Sequence, residues 1–504
     1  KDPESLVLIT TRGTHAGSSR GRNSLSYPMY KDYRDRNEVF SGVLCRRGEE
    51  VNVSYGGSTE RVEGELVSGN YFEALGILPA AGRLFSKSDE TSPGANPVVV
   101  LNYDYWRTRH KADPSIVGKV LRINNYPMTV VGIAAPGFNG VSLGYRPSVH
   151  IPVTMKKQVT PSWDYLEDRR TRWVQVLARL KPGITLERAE ASIRPLFKQI
   201  ISGEAQEAGF IVNVPKYVRD QFLRSYAVVL PGGQGDSAMR RHMETPMHVM
   251  MGLVGLVLLI SCANVSNLLV ARATGRQKEI SVRLAIGAGR GRIVAQLLVE
   301  SMLLSLAGGM SGLLVARWTT HYLLRFAPDE QARLAISPEI DPRILGFTIV
   351  LSLAAAFIFG LIPAIQVSRT DLAKTLKEQS GAAGAGHGGG LRRALVVAQV
   401  ALSFMLLVGA GLFVQSLQNL KITDPGFQAS NLIRFKLDPT LSGYDVKQTK
   451  QFYRQMRLRL AALPGVTGVG LAVVPIHDRS DWDSTVSVEG YRSKDGEDMN
   501  PQFN

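Results

Sequence analysis

The chain has 504 residues, room for about three domains at roughly 150 residues each, with 44% hydrophobic residues and a net charge of +16. Those averages exclude a collagen-like or fully disordered chain, and two cysteines, Cys45 and Cys262, in regions of different character exclude a disulfide framework and a Cys-based zinc site. The charge raises nucleic-acid binding as a class, to be weighed against membrane topology, which also concentrates Lys and Arg.

The averages hide a division. Residues 1–246 carry no long apolar block, and they alternate short β-rich runs with turn chemistry. In Gly118 to Ala134, Asn124-Asn125 between two alternating apolar runs predicts a hairpin. Val174 to Ile200 reads as a strand, a Pro-Gly turn and a helix capped by Thr185, with Glu187 and Glu190 favourable in its first turns. Together they predict α+β packing for residues 1–246. Tyr and Phe interleaved with basic residues between Tyr27 and Phe40 read as an ordinary packed helix rather than a nucleic-acid surface.

Four apolar blocks follow, at residues 247–270, 293–316, 344–367 and 394–417. Each is long enough to cross a bilayer as a helix, for which about 20 apolar residues suffice. Only the second contains a charge, Glu300. The connector over residues 271–292 holds Arg272, Arg276, Lys278, Arg283, Arg290 and Arg292 against Glu279 alone, which puts it in the cytoplasm by the positive-inside bias. Residues 317–343 are balanced and read as an outside loop; residues 368–393 are basic again. Residues 1–246 and 418–504 then lie outside the cytoplasm. The chain opens on Lys1 without a signal-peptide pattern, so we expect a fragment that lacks an upstream anchoring span. The fold class is a multi-pass α-helical membrane protein with an α+β extracytoplasmic domain.

Several stretches resemble the MacB-type and FtsX-type ABC transporter permeases. SYPMYKDYRDRNEVFSGV (Ser26 to Val43), VEGELVSGNYFEALGILPAAGRLF (Val62 to Phe85), Val98 to Phe138 and LARLKPGITLERAEA are similar to their periplasmic core domain. RATGRQKEISVRLAIGAGRGRIVAQLLVESMLLSLAGGMSG (Arg272 to Gly312) is similar to their membrane domain and is the more specific match. The fourth span, opening after a Gly-rich linker and followed by a new soluble segment at 418–504, resembles the start of a second unit in a tandem permease.

The connector places Glu279, Arg283 and Gly287 along one face of a short helix, with Ile280, Leu284 and Ala288 adjacent. The resemblance implies that Glu279, Ile280, Arg283, Leu284, Ala285, Gly287 and Ala288 contact a nucleotide-binding ATPase subunit. The competing reading is a basic anchor at lipid headgroups, which leaves the small-residue run Ala285 to Gly289 unexplained. Glu300 is a functional candidate because an intramembrane acid is costly; its bland alternative is contact with water, Arg290 or Arg292. Asn264 and Asn267 point to interhelical hydrogen bonding, and Gly308, Gly309 and Gly312 to close helix packing.

Gly384, Gly386 and Gly389 satisfy G-x-G-x-x-G formally, but without a βαβ unit they form a flexible linker. The 504 residues contain no Walker P-loop and no H-E-x-x-H, and G-x-S-x-G occurs at Gly17 to Gly21 and Gly140 to Gly144 without being read as a nucleophile elbow. We therefore expect a non-enzymatic permease subunit in a bacterial cytoplasmic (inner) membrane that binds no cofactor itself, the ATP being used by a partner subunit. Its expected partners are an ABC ATPase subunit, the lipid bilayer, and a periplasmic adaptor or exported substrate, with no nucleic acid. The alternative is a membrane-anchored extracytoplasmic sensor or scaffold that regulates envelope proteins without transport.

Overall fold

A computed structural model describes residues 2–15, 17–142, 144–207, 210, 216–233, 235, 238–275, 279, 282–283, 286, 288–325, 342–368, 389–422, 431–472, 486 and 490–491. In some helical stretches, Met239, Met243 and Asn267 among them, only the backbone is described. The chain divides into two units, residues 1–237 with 435–504, and residues 238–434.

The first unit is built on strands β1 (Leu6–Arg12), β2 (Ser24–Leu25), β3 (Phe40–Tyr55), β4 (Ser58–Val67), β5 (Pro79–Gly82), β6 (Val98–Leu101), β7 (Val120–Ile123), β8 (Tyr126–Ala134), β9 (Val149–Pro152), β10 (Val174–Leu180) and β11 (Tyr226–Pro231). They join in the order β11-β1-β10-β3-β4-β9-β6-β8-β5, with β2 beside β10 and β7 beside β3 and β8. Pairing is antiparallel except at β4/β9 and β6/β8. The helices are α1 (Tyr27–Arg36), α2 (Tyr71–Leu75), α3 (Tyr103–Arg109), α4 (Lys156–Val159), α5 (Leu186–Glu204) and α6 (Lys216–Arg224).

The two-residue side-chain period of a strand divides the core in two. On β1, Val7 and Ile9 enter one apolar cluster, together with Tyr30 and Tyr33 of α1 and Ile193 and Phe197 of α5. Leu6 and Leu8 enter the other, with Tyr71 and Phe72 of α2. Both faces of the sheet are therefore covered, and α1 is the packed helix that its sequence predicts.

Local chemistry fixes the turns. Asn124 and Asn125 adopt φ values of 47° and 68° between the paired residues Ile123 and Tyr126, the two-residue hairpin read from the sequence. The longer β3–β4 hairpin turns through Gly56 and Gly57, both at positive φ. Thr185 caps α5, its Oγ1 accepting from Arg188 N at 3.3 Å. Glu190, expected only to favour the helix start, also accepts from Val229 N at 3.0 Å. That contact occupies an amide on the outer edge of β11, a position otherwise open to strand addition.

Among its described residues the second unit contains four long helices, α7 (Ala238–Gly275), α8 (Arg290–Arg325), α9 (Pro342–Ser368) and α10 (Gly389–Ile422). Among the described residues, three stretches are long and apolar enough to cross a membrane: Glu244–Val265, Gly291–Leu323 and Val396–Asn419. Helix α9 has 27 residues, of which Pro342–Phe357 form the described apolar part. Helix α9 packs against both α8 and α7, and α10 packs against α7. In the last segment, Asp445 and Gln448 form a capping box that opens α11 (Val446–Ala461). Residues 431–472 contain no strand among the described residues.

Candidate functional site

The connector between α7 and α8 is the candidate site. Glu279 and Arg283 are ion-paired one helical turn apart, and Arg283 Nη1 also donates to Gln296 Oε1 of α8 at 3.3 Å. Backbone bonds continue the turn from Ile286 N to Val282 O and from Ala288 N to Arg283 O, both 3.0 Å. Arg292 N to Gly289 O, 3.0 Å, then leads into α8. The Arg283 guanidinium thus joins the connector to the first turns of a long helix. Ile280, Leu284, Ala285 and Gly287 lie outside the described residues.

Val282 and Ile286 are 57% and 82% exposed, and their i, i+4 spacing puts them on one face. Beside the exposed ion pair this makes a small apolar patch with a charged border. A signal was present, because both residues are apolar at helical spacing within a basic segment.

Within the long helices, Glu300 is half-buried and engaged in a polar or electrostatic interaction. Asn264 is exposed on α7, and the Asn267 side chain lies outside the description. Gly308, Gly309 and Gly312 of α8 do not behave alike. A Cβ on Gly309 would lie 2.8 Å from Ser352 Oγ of α9, whereas one on Gly308 or Gly312 would meet nothing within 4 Å. Close packing is therefore set at Gly309, beside a hydrogen bond from Ser305 Oγ to Ser352 O at 2.8 Å. The expectation for Gly308 and Gly312 is corrected: on a helix face the spacing of small residues does not say which one meets a neighbour.

The β-rich domain carries buried charge that the sequence did not reveal. Arg46 of β3 and Glu65 of β4 are ion-paired in the interior. Tyr71 Oη donates to Glu65 Oε2 at 2.9 Å, and His150 Nε2 lies 3.5 Å from the same oxygen. Burial holds His150 down to about 4, so it is neutral at pH 7. Lys156 is enclosed with its Nζ 3.0 Å from the Trp163 ring centroid, and burial lowers it to about 7. Glu204 is raised by burial to about 7, although Arg169 lies 3.4 Å away.

An open cleft of about 670 Å³ lies between α1 and residues 167–170. Its walls present both signs of charge, with Lys31 paired to Glu167 at 2.8 Å and Arg169 to Asp32 at 2.7 Å. Among the described residues no group of three His, Cys, Asp or Glu side chains is placed to hold a metal ion.

Residues 2–196 match the family described as MacB-like periplasmic core domain, and residues 251–372 match FtsX-like permease C-terminal. The macrolide export ATP-binding/permease protein MacB of Salmonella paratyphi A is 22% identical over 380 residues, covering 73% of this chain and 52% of that protein. MacB of Bartonella henselae is 25% identical over 331 residues, covering 66% and 45%. The chain spans about half the length of the curated relatives it matches. The periplasmic region of MacB from Actinobacillus actinomycetemcomitans aligns at 15% identity with a TM-score of 0.30, covering 39% of this chain and 84% of that structure. The extracellular domain of the ABC-type transporter YknZ from Gram-positive bacteria aligns at 10% identity with a TM-score of 0.30, covering 39% and 94%.

A β-rich core domain followed by long apolar helices is the architecture of a membrane protein with an extracytoplasmic α+β domain. The two family matches make it a MacB/FtsX-type ABC transporter permease.

Proposed function

We propose that this permease couples ATP hydrolysis by a separate cytoplasmic ATPase to movement of its extracytoplasmic domains, for export or for mechanotransmission. It works as a multi-pass protein of the bacterial inner membrane, it has no catalytic role of its own, and the ATP is bound by the partner. The observation that carries the reading is the connector, where an exposed Val282/Ile286 patch stands beside an ion pair whose arginine also holds Gln296 of α8.

An exposed i, i+4 ion pair contributes only about 0.3–0.5 kcal/mol to stability, so the energetics leave its geometry free to serve docking. A push on the patch passes through Arg283 to α8, and Gly309 passes it to α9 by close packing. In this account the described residues Glu279, Arg283 and Ala288, with Ile280, Leu284, Ala285 and Gly287, form the ATPase-docking segment. Residues 1–246 form one outer core domain and residues 418–504 begin a second. The names of the relatives, which join ATP-binding to permease, are consistent with an ATPase partner; a periplasmic adaptor or exported substrate would engage the outer domains.

The test is purification of the protein from native membranes in mild detergent, comparing wild type with Glu279→Arg. An ATPase subunit that co-purifies with wild type and is lost from the variant supports coupling. If neither folded sample brings an ATPase, the chain acts as an outer sensor or scaffold.

A further inference from the structure

The chain leaves the β-rich domain through a tight turn. Strand β11 ends at Pro231, opposite Val7 of β1. Gly232 N then donates to Leu6 O, and Gly235 N to Gly232 O, both at 2.8 Å. Gly235 has a φ of 68°, and a Cβ there would lie 1.6 Å from Val141 O. Backbone meets backbone at this point, with no side chain between them that could yield. Helix α7 starts at Ala238, so whatever displaces its first residues acts on this turn.

Val141 belongs to a segment that covers the buried Arg46–Glu65 ion pair. Its side chain packs against the apolar cluster that holds Leu6 and Leu8. The next residue, Ser142, accepts at Oγ from Arg46 Nη1, which also donates to Gln175 Oε1 at 3.0 Å. The Tyr145 ring centroid is 5.8 Å from Arg46 Cζ. That ring fills a notch in the β3–β4 hairpin: a Cβ on Gly48 would lie 2.6 Å from Tyr145 Cζ, and Tyr145 Oη donates to Gly64 O at 2.5 Å. Arg146 N donates to Glu63 Oε2 at 2.9 Å. The segment is thus fastened along Glu63, Gly64 and Glu65, the part of β4 that carries the buried carboxylate. A few polar contacts of this kind can open locally while the domain stays folded. Opening them uncovers a charge pair whose strength depends on the exclusion of water.

We propose that Val141, Ser142, Tyr145 and Arg146 form a strap that couples the exit turn to the ionic core of the outer domain: moving Gly235 lifts Val141, and Ser142 and Tyr145 leave Arg46 with it. The strap rests on the ATPase-coupling reading only in that α7 moves. Its test needs no ATPase, so either proposal can fail alone.

The test is hydrogen exchange read by mass spectrometry on the full chain in lipid nanodiscs. The amides of Tyr145, Arg146 and Ser148 are hydrogen-bonded and report the strap. Gly235→Ala, which forces Val141 away, should speed their exchange at least about fivefold and leave the β7–β8 hairpin unchanged. Coupling is reciprocal. Arg46→Met/Glu65→Leu, which removes the charged anchor, should therefore speed exchange at Gly232 and Gly235 by a similar factor. Tyr145→Phe keeps the ring and loses only the hydroxyl's bonds to Gly64 O and Glu49 O. It should act in the same direction on both the strap and the turn, and it decides the matter if either larger change prevents folding. Unaltered strap exchange in Gly235→Ala would overturn the proposal. So would faster strap exchange there combined with an unaltered turn in the other two variants, which is the result of local crowding alone.

Discussion

Arg46 and Glu65 are ion-paired inside the β-rich domain with side chains only 6% and 0% exposed. In the β3–β4 register Glu65 stands opposite Gly48, two residues from Arg46, so the two side chains share one face of the sheet. Burial opposes the charge on Arg46, and the Glu65 carboxylate more than offsets this, so the guanidinium titrates above its ordinary range. Tyr71 and His150 fill the space around the carboxylate.

Removing one partner of such a pair leaves the other charged and buried. Glu65→Gln should therefore destabilise the protein by about 3–5 kcal/mol, while Arg46→Met/Glu65→Leu should recover most of the loss. Chemical denaturation followed by near-UV circular dichroism checks both, and equal losses in the two variants would show that the pair is not the cause.

Glu204 and Lys156 make stability depend on pH in opposite directions. The Glu204 carboxyl rises from 4.5 to about 7, so the folded state holds its proton more tightly than the unfolded state. This stabilisation is complete below about 4.5 and is lost as pH rises to about 7. The Lys156 amine falls from 10.5 to about 7, so its burial costs stability below about 7, and the cost fades as pH rises to 10.5. Glu204→Gln should remove the decline between pH 5 and 7, worth up to about 3 kcal/mol, and Lys156→Met the rise above pH 7. Melting temperatures measured across that range in each variant check the assignment.

Asn124 combines a positive φ with two hydrogen bonds, Nδ2 to Val159 O at 2.6 Å and Oδ1 from Asn52 N at 2.8 Å. Asn124→Ala loses both side-chain hydrogen bonds and strains the positive-φ turn, and should cost about 2–4 kcal/mol. Asn125→Gly keeps the turn geometry and should be neutral within about 0.5 kcal/mol. Parallel thermal melts of the two variants separate the side-chain bonds from the turn.

At Gly309, alanine needs only a rotation of the Ser352 hydroxyl, but leucine must push α9 away. Gly309→Leu should lower stability in detergent by about 1–3 kcal/mol, whereas Gly308→Ala and Gly312→Ala, whose added Cβ meets nothing within 4 Å, should leave it unchanged. Detergent-resistant thermal unfolding of the three variants distinguishes the positions.

Features decided by neighbours in sequence were legible from it. The Asn124-Asn125 hairpin, the Thr185 cap and the packed helix from Tyr27 each follow from a few adjacent residues. Features decided by distant pairing were not. The parallel contacts of β4 with β9 and of β6 with β8 join strands far apart in the chain, and only that order brings His150 to Glu65. Lys156 looks like a surface lysine until the loop carrying Trp163 folds over it. At the connector, the helical spacing of Glu279 and Arg283 is legible in the sequence, but the exposure of Val282 and Ile286 is not, because apolar residues at that spacing usually face a core.

The central claim is that the connector patch meets an ATPase. The direct measurement replaces Ile286 with a photoreactive phenylalanine analogue in the full chain and irradiates native membranes, with Tyr226, an exposed residue of the β-rich domain, as the control position. The account predicts a crosslink from position 286 to a nucleotide-binding subunit, abolished by Glu279→Arg and absent from position 226. Crosslinks from position 286 to lipid alone, in membranes that contain the folded protein, would contradict it.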